Sequence, residues 1–275
     1  MSAADRWRSE LAGWAIPDRL LLAVDDSPYR WPVEHFRRRN ISAAETAPPP
    51  TLDIVSRLAG EGGTVLDIGA GTGRASLPLA ARGHPVTGVE KSSEMAAALR
   101  AEAAAVAGSY VVVEGSWPAA DLGRFDVVMA AHVVYDVPEL GPFLQAMHSQ
   151  ADRAVVVEMT ESHPWTPLGP YYRALHALDR PTGPTVDDLV AVVREVIELE
   201  PEVVWWERAG GSWFESWEEI VELYRRRLVL PVDRIGELRP LLEPDVEVTD
   251  GRMTIGDSVR RLATVWWWSA TSRPH

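Results

Sequence analysis

Apolar and polar positions follow two alternating rhythms between residues 51 and 160. Short apolar runs, "GTVLDIG", "HPVTGVE", "SYVVVEG", "RFDVVMAAH" and "DRAVVVEM", have the length and β-branched content of strands. Between them lie "TLDIVSRLAG", "RASLPLAARG", "SSEMAAALRAEAAAVAG" and "ELGPFLQAMHSQ", which read as helices. Gly60 and Gly83 stand at two helix ends, and Pro78 implies that its helix starts late or kinks early. Strands alternating with helices, several of them continuously apolar, predict a parallel sheet covered on both faces.

The flanks have a different texture. Residues 1–50 carry Trp7, Trp14 and Trp31, an amphipathic stretch broken by Pro17, a second possible helix "VEHFRRRN", and the run Pro48, Pro49, Pro50. After Met159 the chain is rich in proline and aromatics. Thr185 with Asp188, and Ser216 with Glu219, have capping-box spacing and open the helices "VDDLVAVVREVIEL" and "WEEIVELYRRRLVL". "PEVVWWER" and "RRLATVWWWSA" read as two edge strands that can still pair across about fifty intervening residues, so residues 210–258 are expected to form a helical insertion. Residues 1–50 then form an N-terminal helical lid segment, 51–209 with 259–275 the core, and 160–200 a partial cap.

Composition narrows the function classes. The 275 residues are 46% hydrophobic and 24% charged, an ordinary globular balance. A net charge of −13 argues against free nucleic acid as a partner, because that binding relies on Lys and Arg neutralising phosphates. The absence of cysteine excludes disulfides, zinc–thiolate sites and a cysteine nucleophile. No signal-peptide pattern opens the chain, and no apolar stretch reaches the roughly eighteen residues of a membrane span, so a soluble cytoplasmic protein is expected. A single lysine, Lys91, among many arginines suggests a GC-rich bacterial source. Oligomeric state, monomer or homodimer, stays open.

The stretch "VLDIGAGTG" carries the chemistry. A dinucleotide fingerprint needs G-x-G-x-x-G or A after a strand. Starting at Gly69 the last position is Arg74, and starting at Gly71 it is Ser76, so neither fits. The pattern is D-x-G-x-G-x-G, with Asp67 at the strand end. A carboxylate there repels a pyrophosphate and attracts a cationic ligand with donors to offer. Glu90, twenty-three residues after Asp67, ends the next strand, where a carboxylate can accept from both hydroxyls of a ribose.

With "RFDVVMAAHVVYDV", these segments resemble class I S-adenosylmethionine-dependent methyltransferases over about residues 60–160, and most closely the small-molecule enzymes of the ubiquinone and menaquinone type. The resemblance implies a Rossmann-like, doubly wound α/β fold: a mostly parallel sheet of about seven strands, helices on both faces and cap insertions. It implies S-adenosylmethionine as cofactor. Its seat would be Asp67, Gly69, Ala70, Gly71 and Gly73 on the first loop, Glu90, Lys91 and Met95 on the second, and Ser116, Trp117, Ala131 and His132 beyond. The family often has Gly-Asp after the third strand. Here Ser116 replaces that acid, and Trp117 either stacks on the adenine or packs in the core.

Methyl transfer is an in-line displacement, so the protein chiefly aligns the reactants, and a base is needed only if the acceptor must lose a proton. Candidate bases are His163, in the loop after the fifth strand, His132 and Tyr135, each with a purely structural alternative. Glu158, Glu161 and His163 follow no established metal spacing, and no metal is expected. Tyr29, Trp31, His35 and Trp165 are candidate substrate or lid residues. The leading expectation is methylation of a small apolar or aromatic metabolite. The alternatives are a protein or RNA acceptor and a non-catalytic S-adenosylmethionine-binding protein.

Overall fold

The computed structural model describes residues 1–25, 27–29, 48–118, 122–209, 213–249, 251–256 and 259–269. Trp31, His35 and the segment "VEHFRRRN" lie outside the described residues. The chain begins with α1 (Ala3–Ala12), whose N-cap Ser2 accepts the Asp5 amide, and α2 (Asp18–Leu21), separated from it by Pro17. Helix α3 (Pro50–Ala59) has proline in its first turn, where no N–H is needed, and ends at Gly60 with φ 74°.

Then come β1 (Val65–Ile68), α4 (Leu77–Ala81), β2 (Val86–Glu90), α5 (Ser93–Ala105), β3 (Tyr110–Glu114), β4 (Phe125–Ala131), α6 (Leu140–Gln150) and β5 (Ala151–Thr160). Helix α4 starts late, as Pro78 implied, with that proline in its first turn. The second half holds α7 (Gly169–His176), α8 (Val186–Val196), β6 (Glu202–Ala209), β7 (Trp213–Phe214), α9 (Trp217–Arg227), α10 (Leu238–Leu242), β8 (Val246–Thr249), β9 (Arg252–Ile255) and β10 (Val259–Trp268). The Thr185–Asp188 capping box is complete. At α9 only half of the box forms: Ser216 accepts the Glu219 amide, while the Glu219 carboxylate accepts from Glu215.

Seven strands form one sheet in the order β3-β2-β1-β4-β5-β10-β6 among the described residues. Five run parallel in sequence, β10 is antiparallel to both neighbours, and β6 therefore points the same way as β5. The two late strands do pair, but β10 is interior and only β6 is an edge. Strand order reverses between β1 and β4, and in open α/β sheets ligands sit at the carboxyl ends beside such a reversal.

Alternate residues feed opposite faces. Leu66, Ile68, Val128 and Val157 pack under α6 and α8 in one cluster, and Val65, Val127, Met129 and Val156 pack under α3 and α4 in the other. Trp267 belongs to the first and Trp266 to the second, so the "WWW" run is mainly core. Trp7 is fully buried, and its Nε1–H donates to the Val137 carbonyl at 2.9 Å, tying α1 beside the loop after β4.

A third cluster stands apart from both sheet faces. Ile16 and Leu20 from the N-terminal segment, Tyr171 and Tyr172 from α7, and Ile220, Leu228, Leu238 and Ile255 from the late insertion share it. The insertion is not purely helical as expected: β7, β9 and β8 form a three-stranded antiparallel sheet. Strands of two to four residues are too short to show a period-2 pattern in the sequence. No described helix is long and apolar enough to cross a membrane.

Candidate active site

The loop after β1 is a tight turn on the carboxyl edge of the sheet. Gly69 (φ 69°) and Gly71 (φ 58°) occupy left-handed backbone that disfavours a side chain. They differ in surroundings. A Cβ on Gly69 would meet Val133 Cγ2 at 2.6 Å, whereas one on Gly71 would meet nothing within 4 Å. Gly71 therefore opens onto free space, and Gly69 is glycine because Val133 packs against it. Gly73 does not line the cavity among the described residues: its Cβ would strike Leu77 and Leu99, so its role is packing.

Glu90 ties this loop to the next. Its carboxylate accepts from the Gly71 amide at 2.9 Å and the Ser92 amide at 2.8 Å. Each oxygen keeps a lone pair for a ligand hydroxyl. Asp67 is buried, and its Oδ2 has no hydrogen-bond partner. Burial pushes its pKa up to about 7, with Ser76 and Arg74 opposing and Glu90 and Glu158 reinforcing the rise. A buried carboxyl with one unpartnered oxygen at a ligand edge is costly to ionise unless something cationic completes it.

Across the strand-order reversal, His132 adopts φ 60°, an uncommon backbone for a non-glycine residue. Its amide donates to the Glu158 carbonyl at 2.9 Å, and its Nε2 lies 3.1 Å from Glu158 Oε1. Arg74 reaches the same carboxylate oxygen at 3.3 Å. Burial alone would raise the Glu158 pKa. The His132 ring, the Arg74 guanidinium and Thr51 outweigh it and hold the carboxyl ionised, well below its usual range. Burial brings His132 down to about 4, so its ring is neutral at pH 7.

The other two proposed bases are differently placed. The Tyr135 hydroxyl accepts the Thr160 amide and pairs with Thr160 Oγ1 at 2.6 Å, and burial raises its pKa. Both bonds hold the hydroxyl against Thr160 while the residue lines the cavity. His163 is buried, not a surface residue, and stacks on Trp14 with ring centroids 4.1 Å apart. Its Nδ1 accepts the Trp165 amide at 3.2 Å. Burial, then the nearby Arg180 cation, lowers it to about 3, which makes it a weak base at neutral pH. Glu161 pairs with Arg261 at 2.7 Å and does not join Glu158 and His163 in one cluster.

One cavity of about 2410 Å³ connects these features. It reaches Asp67, Ala70, Gly71, Glu90, Lys91, Met95, Ser116, Trp117, Ala131 and His132, and continues to Tyr29, Tyr135, His163 and Trp165. Single-ligand pockets span roughly 300–1,000 Å³, so the space exceeds what one ligand fills. Trp117 lies beside the first half, packs on the sheet core, and has a buried Nε1–H without a partner. The far half has aromatic walls. Tyr29 stacks on Trp165 at 5.6 Å, His163 meets Trp165 edge-on, and Trp14 is held by its Nε1–H to the Gly183 carbonyl at 2.5 Å.

Several cavity residues were not apparent as such in the sequence. Trp14 and Trp206 line it, the latter with Nε1–H to Thr264 Oγ1 at 3.1 Å. Arg74, Arg208 and Arg260 line it as well. Arg208 ends a strand, a position that could have marked it for the carboxyl edge.

Comparison with known proteins agrees with this geometry. Residues 65–152 match the family model of a methyltransferase domain. No curated protein sequence matches the chain. Among solved structures it resembles a protein from Bacillus halodurans C-125 described as a methyltransferase, at 13% identity and TM-score 0.54, covering 82% of this chain and all of that one. It also resembles magnesium protoporphyrin IX methyltransferase from Synechocystis PCC 6803, solved with bound S-adenosylhomocysteine, at 16% identity and TM-score 0.50, covering 90% and 93% of the two chains. Neither likeness singles out the ubiquinone and menaquinone type. Residues 65–152 therefore carry a methyltransferase domain, and the strand order is that of the solved methyltransferase structures to which the chain is similar.

Proposed function

We propose that the protein transfers a methyl group from S-adenosylmethionine to a small molecule with an apolar or aromatic body. The observation that carries the cofactor assignment is the pairing of an orphaned buried carboxyl, Asp67, with a glycine loop that opens onto free space at Gly71. When bound, the cofactor supplies an electrophilic methyl and a neutral thioether leaving group. Asp67 and Glu90 offer anionic acceptors to its cationic and hydroxyl-bearing parts. Ala70, Met95 and Ala131 supply apolar wall, and Ser116 and Trp117 edge the same half of the cavity.

On the acceptor side, Tyr29, Trp14 and Trp165 present aromatic faces, and Trp165 and Phe214 join the wall to the third hydrophobic cluster. Alignment of two reactants in one cavity is worth up to about 7–11 kcal/mol, so the chain's main work is positioning. Where the acceptor must lose a proton, His132 is the residue we assign to receive it: it lies at the cavity wall 3.1 Å from the ionised Glu158, which stabilises the protonated ring, whereas the cation Arg180 opposes protonation of His163. A protein or RNA acceptor suits this aromatic-walled cavity, in an acidic chain, less well than a small molecule.

The test is turnover. Purified protein with methyl-labelled S-adenosylmethionine and fractionated metabolite extracts is expected to release S-adenosylhomocysteine with one fraction in step with a labelled product. Cofactor binding without product in any fraction, or labelling only of added protein or RNA, would overturn the small-molecule reading.

A further inference from the structure

Strands β6 and β10 pair antiparallel with Arg208 directly opposite Arg260. One step along the ladder the same strands set Glu207 opposite Arg261, an attractive pair. Like charges directly opposite each other destabilise a sheet, so the Arg–Arg rung needs a compensating group. Both arginines line the cavity, and among the described residues neither has an ion pair or hydrogen-bond partner.

Two of the other cations nearby are already matched. Arg74 is held by Glu158, and Arg226 by Glu222 at 3.2 Å. Glu158, the carboxylate that acts on Arg208, is itself shared between Arg74 and His132. Burial, together with the Arg74 and Arg260 charges, lowers the Arg208 pKa to about 10, so it remains a cation at pH 7. Glu207, Glu219 and Glu222 line the cavity beside these arginines, with Glu222 already engaged by Arg225 and Arg226. Carboxyls Asp67 and Glu90 stand at the end assigned to the cationic cofactor, and two uncompensated guanidiniums stand on strands at the other side of the sheet.

We propose that Arg208 and Arg260 seat an anionic group of the methyl acceptor, a carboxylate or a phosphate, while the aromatic walls hold its apolar body. This rests on the methyltransferase reading for the word acceptor, but the anion seat is a property of the two strands. Paired guanidiniums match planar carboxylate and tetrahedral phosphate oxygens with parallel N–H donors, and they cannot be deprotonated away at working pH. The rung is repulsive when empty and attractive when filled. That difference selects an anionic acceptor over its neutral analogue.

The experiment is calorimetric titration of the full chain, with and without S-adenosylhomocysteine, using three probes that share one aromatic body: 2-naphthoate, 2-naphthyl phosphate and 2-naphthamide. At least one anion is expected to bind roughly tenfold or more tighter than the amide, the value of a charge-assisted hydrogen bond. Which anion wins distinguishes carboxylate from phosphate. R208Q, R260Q and the double variant should lose that preference while keeping the amide and S-adenosylhomocysteine affinities. R260Q should also raise the urea midpoint of the ligand-free protein, because it removes a like-charge neighbour; if the double variant fails to fold, this single carries the test. Equal binding of amide and anions, a preference that survives R260Q, or no binding of any probe overturns the proposal. S-adenosylhomocysteine binding without anion preference sinks the seat alone. Anion preference without S-adenosylhomocysteine binding sinks the cofactor assignment alone.

Discussion

Asp67→Asn separates what the fold wants from what the cofactor wants. In the folded protein the Asp67 carboxyl titrates near 7 rather than at its ordinary 3.8, chiefly because it is buried. Between those values the unfolded chain has released the proton and the folded chain has kept it. Stability therefore falls as pH rises from about 4 to about 7, and stays at the lower level above that. The full cost of ionising this group in place is roughly 4 kcal/mol. Asparagine imitates the neutral acid, so D67N should match wild type near pH 4 and exceed it by up to that amount at pH 8, measured by urea unfolding. Cofactor binding should move the opposite way. A cationic ligand wants the carboxylate, so wild-type affinity for S-adenosylmethionine should weaken by up to about tenfold per pH unit on acidification below 7. D67N should bind weakly and without that slope. If D67N and wild type unfold with the same pH dependence, the buried orphan carboxyl is not what the geometry says it is.

Further expectations concern single positions. Glu90→Ala removes the acceptor shared by the Gly71 and Ser92 amides, and should weaken the cofactor by about 1.5–3 kcal/mol in a calorimetric titration with secondary structure unchanged; an unaltered dissociation constant would remove Glu90 from the site. Gly71→Ala should fold, at a cost of about 1–2 kcal/mol for left-handed backbone, yet lose cofactor, whereas Gly69→Ala should lose stability first because Val133 blocks the new methyl. Comparing melting temperature with affinity for the two variants separates these outcomes. His163→Gln should leave the pH dependence of turnover at saturating cofactor unchanged between pH 5 and 8, since a ring already neutral above about pH 3 adds no inflection there; a lost inflection near 6.5 would restore His163 as the base.

The sheet was largely legible in the sequence because its strands are continuous apolar runs and its helices begin and end on proline, serine, threonine and glycine. The residues proposed to seat the cofactor share one edge of the sheet for a reason the sequence carries. Asp67, the glycine loop and Glu90 lie on consecutive β–α units, so sequence distance maps directly onto one edge of the sheet. The acceptor half was not legible. Arg208 and Arg260 are fifty-two positions apart in the chain, and only the antiparallel register across the insertion brings them face to face. The sequence leaves His163 either a base or, more often for such a position, a surface residue, because its burial depends on Trp14, which arrives from the other end of the chain. The partner of the Tyr135 hydroxyl, Thr160, is likewise twenty-five residues away in the chain. The small sheet in the cap left no trace, since its strands are too short to carry a pattern.

The central claim is that the acidic glycine loop seats a cationic nucleoside and not a dinucleotide. Isothermal titration of the full chain with S-adenosylmethionine and, separately, with NAD at pH 7.5 or so tests it most directly. The account predicts one saturable S-adenosylmethionine site at micromolar concentration and no NAD heat, because Asp67 and Glu90 face the position a pyrophosphate would occupy. Saturable NAD binding with no response to S-adenosylmethionine would contradict it.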